Sequence, residues 1–249
     1  MSTTLTIAKR EFRSSFDSPL AYVVICLALI LLGFLFFETT PLTLGFWQAD
    51  RASLAQMFVL TPKGLSLVVV PVLTMRLLAE EKRSGTLEML ITLPVKDHEV
   101  ILGKFLGAWS LVLILIASTF LYPIMMFWRP WNLGELDVGP VFAGYLGLML
   151  YSMAAVAIGV LISALTDSQV IAFFITWFVL VFLSIVMGVL VEATSNQAFR
   201  AVVYFLSFDA RLAPFARGQI ITRDIVYFLS ITVGCLMAAF RALERRKWA

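Results

Sequence analysis

Charged side chains are scarce in this chain, because Asp, Glu, Lys and Arg make up only 14% of its 249 residues. Soluble domains carry about one quarter charged residues. Hydrophobic residues reach 61%, and they collect in runs long enough to cross a bilayer. The shortage of charge therefore excludes an ordinary soluble domain and predicts an all-α, polytopic membrane protein forming a single domain over 1–249.

Residues that bind metals or carry out catalysis are scarce as well. Cys26 and Cys235 both lie inside apolar runs, which argues against a disulfide framework. His98 is the sole histidine and has no cysteine near it in sequence, so we expect no metal site. No GxxxxGK[ST] phosphate-binding motif is present, and no basic patch indicates a nucleic acid partner. We expect no enzyme activity, no catalytic residue and no cofactor in this chain.

Six apolar segments are long enough to be membrane helices. They are predicted at 20–37, about 58–79, 101–127, within 138–166, 168–191 and about 225–240. Pro71 is expected to kink the second helix, and Lys104 is expected to snorkel from the third helix to the interface. The middles of these helices hold no carboxylate or histidine, so the membrane part has no titratable relay of its own.

Two further segments predict helices at the membrane boundary. Residues 3–16 place Leu5, Ala8, Phe12 and Phe16 on one helical face with cations around the other, which is typical of an interfacial helix. A signal peptide is the alternative, but the following apolar run has no small-residue cleavage pattern. Within residues 192–224, one apolar face is formed by Phe199, Val202, Val203 and Leu206, and short apolar groups surround Pro214 and Gly218. This pattern predicts broken exterior helices that dip into the outer leaflet.

Small residues recur at helical spacing in two places. Gly103 and Gly107 form a GxxxG pair, for which we expect packing within the chain. Ser152, Ala155, Gly159 and Ser163 form a stripe that we interpret as a helix-packing seam rather than a substrate path.

Cations indicate the orientation of the chain. The amino-terminal segment, residues 76–104 and the tail together hold 12 of the 19 Lys and Arg residues. By the positive-inside rule, both termini are predicted to be cytoplasmic.

The charged connection between the second and third helices, residues 80–97, is the main cytoplasmic feature. Gly85 is suited to end one helix and Thr86 to cap another, with Glu88 in its first turn. Leu87, Leu90 and Ile91 share one helical face. A solvated loop is the alternative, but the cap pattern favours a short helix that docks on a partner.

The block EEKRSGTLEMLITLPVKDHEVILGKF at 80–105, the block FDARLAPFARGQIITRDIVYFLS at 208–230 and the basic ending RALERRKW carry a family resemblance. The chain resembles type-2 permease subunits of bacterial ABC transporters. Among these it is most similar to the gliding-motility (GldF-like) permeases, and close to permeases linked to copper-enzyme maturation.

The resemblance implies a multi-pass permease of the bacterial inner membrane that exports a substrate, with helices 2 and 5 lining the pathway. Its partners would be an ABC-type ATP-binding protein that carries the ATP and Mg, a second or homologous permease that contacts helices 1 and 5, a possible separate exterior subunit, and the lipid bilayer. The coupling helix would lie in the charged connection, within the segment 80–97. The coupling residues would be Glu80, Glu81, Arg83, Gly85, Thr86, Leu87, Glu88 and Leu90.

Two alternatives remain open at this point. ATP turnover could drive an exterior partner mechanically, with no solute crossing the membrane. The chain could also be a passive scaffold, which would have no ATPase partner. The apolar helices loosely favour lipidic, amphipathic or polymeric cargo over small ions, and the sequence does not identify the substrate.

Overall fold

A computed structural model describes residues 3–17, 19–37, 54–85, 97–127 and 138–245. The helices are Thr3–Asp17, Pro19–Phe37, Ala55–Gly64, Val70–Thr74, Ala79–Arg83, Asp97–Ser118, Leu121–Phe127, Val138–Leu165, Gln169–Val181, Met187–Ala193, Gln197–Leu206, Phe208–Ala216 and Thr222–Arg245. Two π-helical turns occur at Leu65–Val69 and Phe182–Val186. These described ranges contain no strand, which confirms the all-α fold class.

Five helices of the described chain are long and apolar enough to cross a membrane, and a bent pair formed by the amino-terminal helix Thr3–Asp17 and the first span, Pro19–Phe37, brings the number to six. The other five are the second span Ala55–Arg83, the third span Asp97–Ile124, the fourth span Val138–Leu165, the fifth span Gln169–Ala193 and the sixth span Thr222–Glu244. The polytopic membrane fold predicted from the apolar runs is therefore confirmed.

The fourth span is the centre of the bundle. Its four small residues, Ser152, Ala155, Gly159 and Ser163, are all buried. A Cβ atom added at Gly159 would lie 2.3 Å from the hydroxyl oxygen of Thr74, so the backbones of the fourth and second spans approach closely there. The stripe is a helix-packing seam, as its spacing predicts.

The second span is continuous but irregular. A π-helical turn at Leu65–Val69 stands immediately before the short helix that contains Pro71, and the kink expected at Pro71 stays a prediction. A proline lacks the N–H that an α-helix needs, and π turns are among the known causes of helix bending.

The amino-terminal helix lies along the start of the third span. An added Cβ would lie 2.7 Å from Ile7 at Gly103 and 2.6 Å from Glu11 at Gly107. The GxxxG pair therefore packs within the chain, as expected. The two glycines let the amino-terminal helix approach the third span closely enough for side chains to pair.

Two short helices, Gln197–Leu206 and Phe208–Ala216, connect the fifth and sixth spans; we call them the connecting helices. The second of them packs against the start of the second span and against the fourth span, whereas the first packs against Met187–Ala193 at the end of the fifth span. The apolar face predicted for the first of them is divided in the structure. Val203 is buried, whereas Phe199 and Val202 are more than half exposed and face the surroundings of the bundle.

Replacing Gly107 by alanine should loosen the amino-terminal helix. The added methyl group would overlap Glu11 and approach the carbonyl oxygen of Ala8 at 3.2 Å, and such overpacking costs about 1–3 kcal/mol. We expect faster trypsin cleavage after Lys9, Arg10 and Arg13, and a lower melting temperature in detergent. Gly234→Ala is the matched control, because no atom lies within 4 Å of its added Cβ. Equal behaviour of the two variants would contradict the packing described here.

Candidate functional site

The charged connection is described at its beginning and its end. Four of the eight predicted coupling residues lie in the described part: Glu80, Glu81, Arg83 and Gly85. The other four, Thr86, Leu87, Glu88 and Leu90, lie outside the described residues.

The start of the charged connection is anchored to the fourth span. The hydroxyl oxygen of Ser163 accepts hydrogen bonds of 3.1 Å from the backbone N–H groups of Leu78 and Ala79. The first N–H groups of a helix have no partner within it. Ser163, which belongs to the fourth span, therefore caps the helix Ala79–Arg83 by accepting from these N–H groups. The helix Ala79–Arg83 is followed by a turn at Ser84 and Gly85. Gly85 has a φ of +71°, which is the left-handed conformation predicted for it.

A buried lysine joins the charged connection to the amino-terminal helix. The Nζ atom of Lys104 lies 2.7 Å from Oε1 of Glu81 and 2.7 Å from Oε1 of Glu11. The side chain of Lys104 is only 2% exposed, so the prediction that it snorkels to the interface was wrong. Lys104 instead holds two carboxylates from two other elements; we call Glu11, Glu81 and Lys104 the lysine cluster.

Lys82 makes a second attachment on the neighbouring side of the helix. Its Nζ atom donates to the backbone carbonyl of Ala164 and approaches that of Thr166 at 3.4 Å, and it lies 3.7 Å from a carboxylate oxygen of Asp167. These carbonyls are at the C-terminal end of the fourth span, where the helix dipole favours a cation. The connection is thus tied to the third and fourth spans at adjacent residues.

The first residues of the charged connection have two different sides. Glu81 and Lys82 point into the protein, whereas Glu80 and Arg83 are exposed. The predicted coupling residues are therefore of two kinds. Glu81 binds the connection to the rest of the chain, and Glu80 and Arg83 present charge to the surroundings.

Sequence reasoning missed Glu11, Lys82, Lys104 and Ser163 as parts of this site. One signal was available, because Lys104 stands between the two glycines of the GxxxG pair. A helix packed on those glycines covers the lysine, and a covered ammonium group requires a carboxylate partner. The identity of that partner could not be read, since Glu11 is 93 residues away along the chain.

A group of hydroxyls lies at the centre of the bundle. The Tyr151 hydroxyl is hydrogen-bonded to Ser66, lies 2.8 Å from the Ser184 hydroxyl, and donates to the Pro62 carbonyl at 3.1 Å. All three side chains are buried. Ser66 and Ser184 belong to the two π-helical turns. The three hydrogen-bonded hydroxyls therefore join the irregular parts of the second and fifth spans through Tyr151 of the fourth.

A partly buried acid is found at the opposite end of the bundle. Asp209, on the second connecting helix, packs beside Gly188 of the fifth span. Burial raises the pKa of Asp209, the nearby Lys63 lowers it in part, and Glu192 raises it. Among the described residues, no group of three or more His, Cys, Asp and Glu is placed to hold a metal ion.

Removing the carboxylates of the lysine cluster should destabilise the chain in a non-additive way. Glu11→Gln or Glu81→Gln leaves Lys104 one carboxylate, and we expect each to cost about 1–2 kcal/mol of unfolding free energy. The double variant leaves a buried ammonium group without a counter-charge, which costs about 3–5 kcal/mol. Detergent-micelle unfolding curves would measure these values.

The control for this cycle is Glu80→Gln, which removes the neighbouring exposed charge and should change stability by less than about 0.5 kcal/mol. Adding Lys104→Met to the double variant should recover much of the loss, because no buried charge remains. Small, additive losses in all variants would show that Lys104 does not depend on these carboxylates.

Tyr151→Phe should weaken the centre of the bundle by about 1–2 kcal/mol, since Ser66, Ser184 and the Pro62 carbonyl all lose their shared partner. Tyr145→Phe is the matched control. The Tyr145 hydroxyl contacts only Thr119, at 3.2 Å, among the described residues, and a single bond between membrane helices contributes about 0.6 kcal/mol. Unfolding curves in detergent would compare the two, and an equal loss would count against a central role for Tyr151.

A comparison with protein families identifies the chain. The model of the family described as "ABC-2 family transporter protein" matches residues 5–248, which is nearly the full length. The chain therefore belongs to the ABC-2 transporter family, as a transmembrane permease component and not the ATPase. No curated protein matches it significantly. The finer resemblance to gliding-motility permeases stays a prediction.

Proposed function

We propose that this ABC-2 permease exports a substrate across the bacterial inner membrane, and that a separate ATP-binding protein drives it through the charged connection. The observation that carries the proposal is the two-sided start of that connection. Glu80 and Arg83 are exposed, while Glu81 is bonded to the third span and Lys82 to the end of the fourth. Lys104 of the third span also binds Glu11 of the amino-terminal helix. A partner that pushes on the exposed side acts at once on the amino-terminal helix, the third span and the fourth span.

The attachments are strong enough to transmit such a push. Lys104 and its two carboxylates form charge-assisted hydrogen bonds, which are roughly twice as strong as neutral ones. Ser163 and Lys82 fix the same short helix to the end of the fourth span. Displacing the connection therefore moves these helices with it, because breaking the contacts would leave a buried cation unpaired.

The pathway in this proposal lies between the second and fifth spans. Both spans have a π-helical turn at the level where they meet Tyr151, and such turns are frequent at functional sites. In this proposal, the centre of the bundle is closed while the hydroxyls of Ser66, Tyr151 and Ser184 are hydrogen-bonded to one another. Export would require Ser66 and Ser184 to separate as the second span moves.

A second permease copy, or a homologous permease, would complete the transporter. Only 28% of the most apolar stretch of the fifth span is buried within the chain. Its exposed face carries large apolar side chains: Val170, Ile171, Phe174, Ile175, Phe178 and Val189. The first span also exposes apolar residues, including Val23 and Ile30. The sixth span is exposed as well, so the choice of the first and fifth spans as the surfaces for the mate rests on the family resemblance.

The orientation follows from charge. The amino terminus, the charged connection and the tail carry most of the cations, which places them in the cytoplasm with the ATPase. The connecting helices then lie at the exterior end, where a separate exterior subunit would bind. A role in a gliding-motility transporter remains part of this proposal and rests on the sequence resemblance.

The second candidate is a complex in which ATP turnover works mechanically on an exterior partner. One observation favours it: hydrogen bonds join Ser66, Tyr151 and Ser184 at the centre of the described bundle. Mechanical coupling needs no opening there. Substrate movement into vesicles that contain the reconstituted complex would decide for export.

The proposal predicts different effects for the two sides of the charged connection. Arg83→Glu changes an exposed residue and should abolish co-purification of the ATP-binding protein from native membranes. Glu81→Ala with Glu88→Ala should keep part of that binding but reduce transport-coupled ATP hydrolysis by roughly tenfold, within the usual range of coupling free energies.

Glu192→Ala is the matched control for lost charge, because Glu192 is exposed at the opposite end of the bundle. The complex that contains this variant should hydrolyse ATP as the wild-type complex does. Normal transport-coupled hydrolysis in the Glu81→Ala, Glu88→Ala variant would reject the coupling role. Wild-type preparations without any P-loop protein would reject the transporter assignment in favour of a scaffold.

A further inference from the structure

A cavity of about 530 Å³ lies at the end of the bundle opposite the charged connection. It opens beside the first connecting helix, Gln197–Leu206, and the beginning of the sixth span. Its size is within the range of small-molecule sites, about 300–1,000 Å³. The lining residues that matter here are Arg200, Arg211, Arg223, Tyr204 and Phe205.

One of the three arginines is committed to holding the structure together. Arg211 is buried and donates to a carboxylate oxygen of Asp224 at 2.7 Å. It also donates to the Phe205 carbonyl and lies 4.2 Å from the centre of the Tyr227 ring. Arg211 thus docks the second connecting helix onto the sixth span, and its charge is balanced by Asp224.

The other two arginines leave the cavity positively charged. Arg200 is exposed, and the side chain of Arg223 is 65% exposed. Arg223 reaches the same oxygen of Asp224 only at 3.7 Å, an oxygen that Arg211 already occupies. Two of the three guanidinium groups, those of Arg211 and Arg223, therefore share one carboxylate. Arg223 is also the second residue of the sixth-span helix, where the helix dipole adds positive potential.

The walls and surroundings of the cavity are apolar. Tyr204 and Phe205 form its aromatic side. Phe205 is 58% exposed, and Val226, one turn beyond Arg223 on the sixth span, is 57% exposed. In a membrane protein, exposed apolar side chains of this kind face lipid tails. The cavity therefore lies where cations meet the apolar belt, which is the level of lipid headgroups.

The geometry points to a binding site for an anionic membrane lipid, with its phosphate diester between Arg200 and Arg223 and its acyl chains along Tyr204 and Phe205. Arginine suits this role because its planar guanidinium binds phosphate oxygens in pairs. A soluble anion would use the cations but not the apolar walls. The occupant is therefore an amphiphile, and the bound lipid would fix the connecting helices to the bilayer. This proposal does not depend on the ATPase partner or on transport.

Native mass spectrometry of the delipidated full-length protein, titrated with phosphatidylglycerol or phosphatidylcholine of the same acyl chains, tests the site. We expect the wild type to bind phosphatidylglycerol more tightly. Arg200→Gln and Arg223→Gln should each weaken that binding by about fivefold, as expected for one cation near a membrane surface. Arg217→Gln is the matched control, because Arg217 is exposed at the same end of the bundle but does not line the cavity, and it should bind as the wild type does.

A second measurement uses the wild type alone, so it does not depend on how the variants fold. Rising salt should weaken the binding of phosphatidylglycerol but not that of phosphatidylcholine. Equal binding of the two lipids, or unchanged binding when Arg200 and Arg223 are both replaced, would overturn the proposal. Displacement of bound phosphatidylglycerol by millimolar inorganic phosphate would also overturn it, since the site would then be one for free anions.

Discussion

The burial of one ammonium group constrains much of this structure. Lys104 is 2% exposed and has two carboxylates at 2.7 Å. An unpaired buried ion costs several kcal/mol, so Glu11 and Glu81 must both remain beside it. The amino-terminal helix and the start of the charged connection are therefore held to the third span. The glycines on either side of Lys104 make this possible, because they admit the backbone of the amino-terminal helix.

Buried polar groups also pair across helices at the centre and at the far end of the bundle. Tyr151 satisfies the hydroxyls of two π-helical turns, and Arg211 with Asp224 joins a connecting helix to the sixth span. Buried polar groups must find partners. In an apolar bundle such groups are few, so each one determines which helices lie together. The charged connection is thus held by two cations, Lys104 and Lys82, and the far end by Arg211.

The apolar pattern predicted the helices well because a membrane span needs about 20 apolar residues, whatever surrounds it. Two residues show the limit of this reasoning. Lys104 was expected to snorkel, since a lysine in an apolar run does so when nothing covers it. Val203 was grouped with Phe199 and Val202, yet it alone turns inward. In both cases the neighbouring helix decided the outcome, and periodicity within one segment contains no information about that neighbour.

By itself the sequence determined the fold class, the spans, the packing stripe of the fourth span and the left-handed turn at Gly85. Each of these follows from local rules, namely the length of apolar runs, helical spacing and the conformational freedom of glycine. Only the tertiary structure decided that Glu11 and Glu81 meet at Lys104, and that Ser66, Tyr151 and Ser184 meet at two π turns. The physical reason is separation along the chain. Ser66 and Ser184 are 118 residues apart, so their contact depends on how whole helices pack.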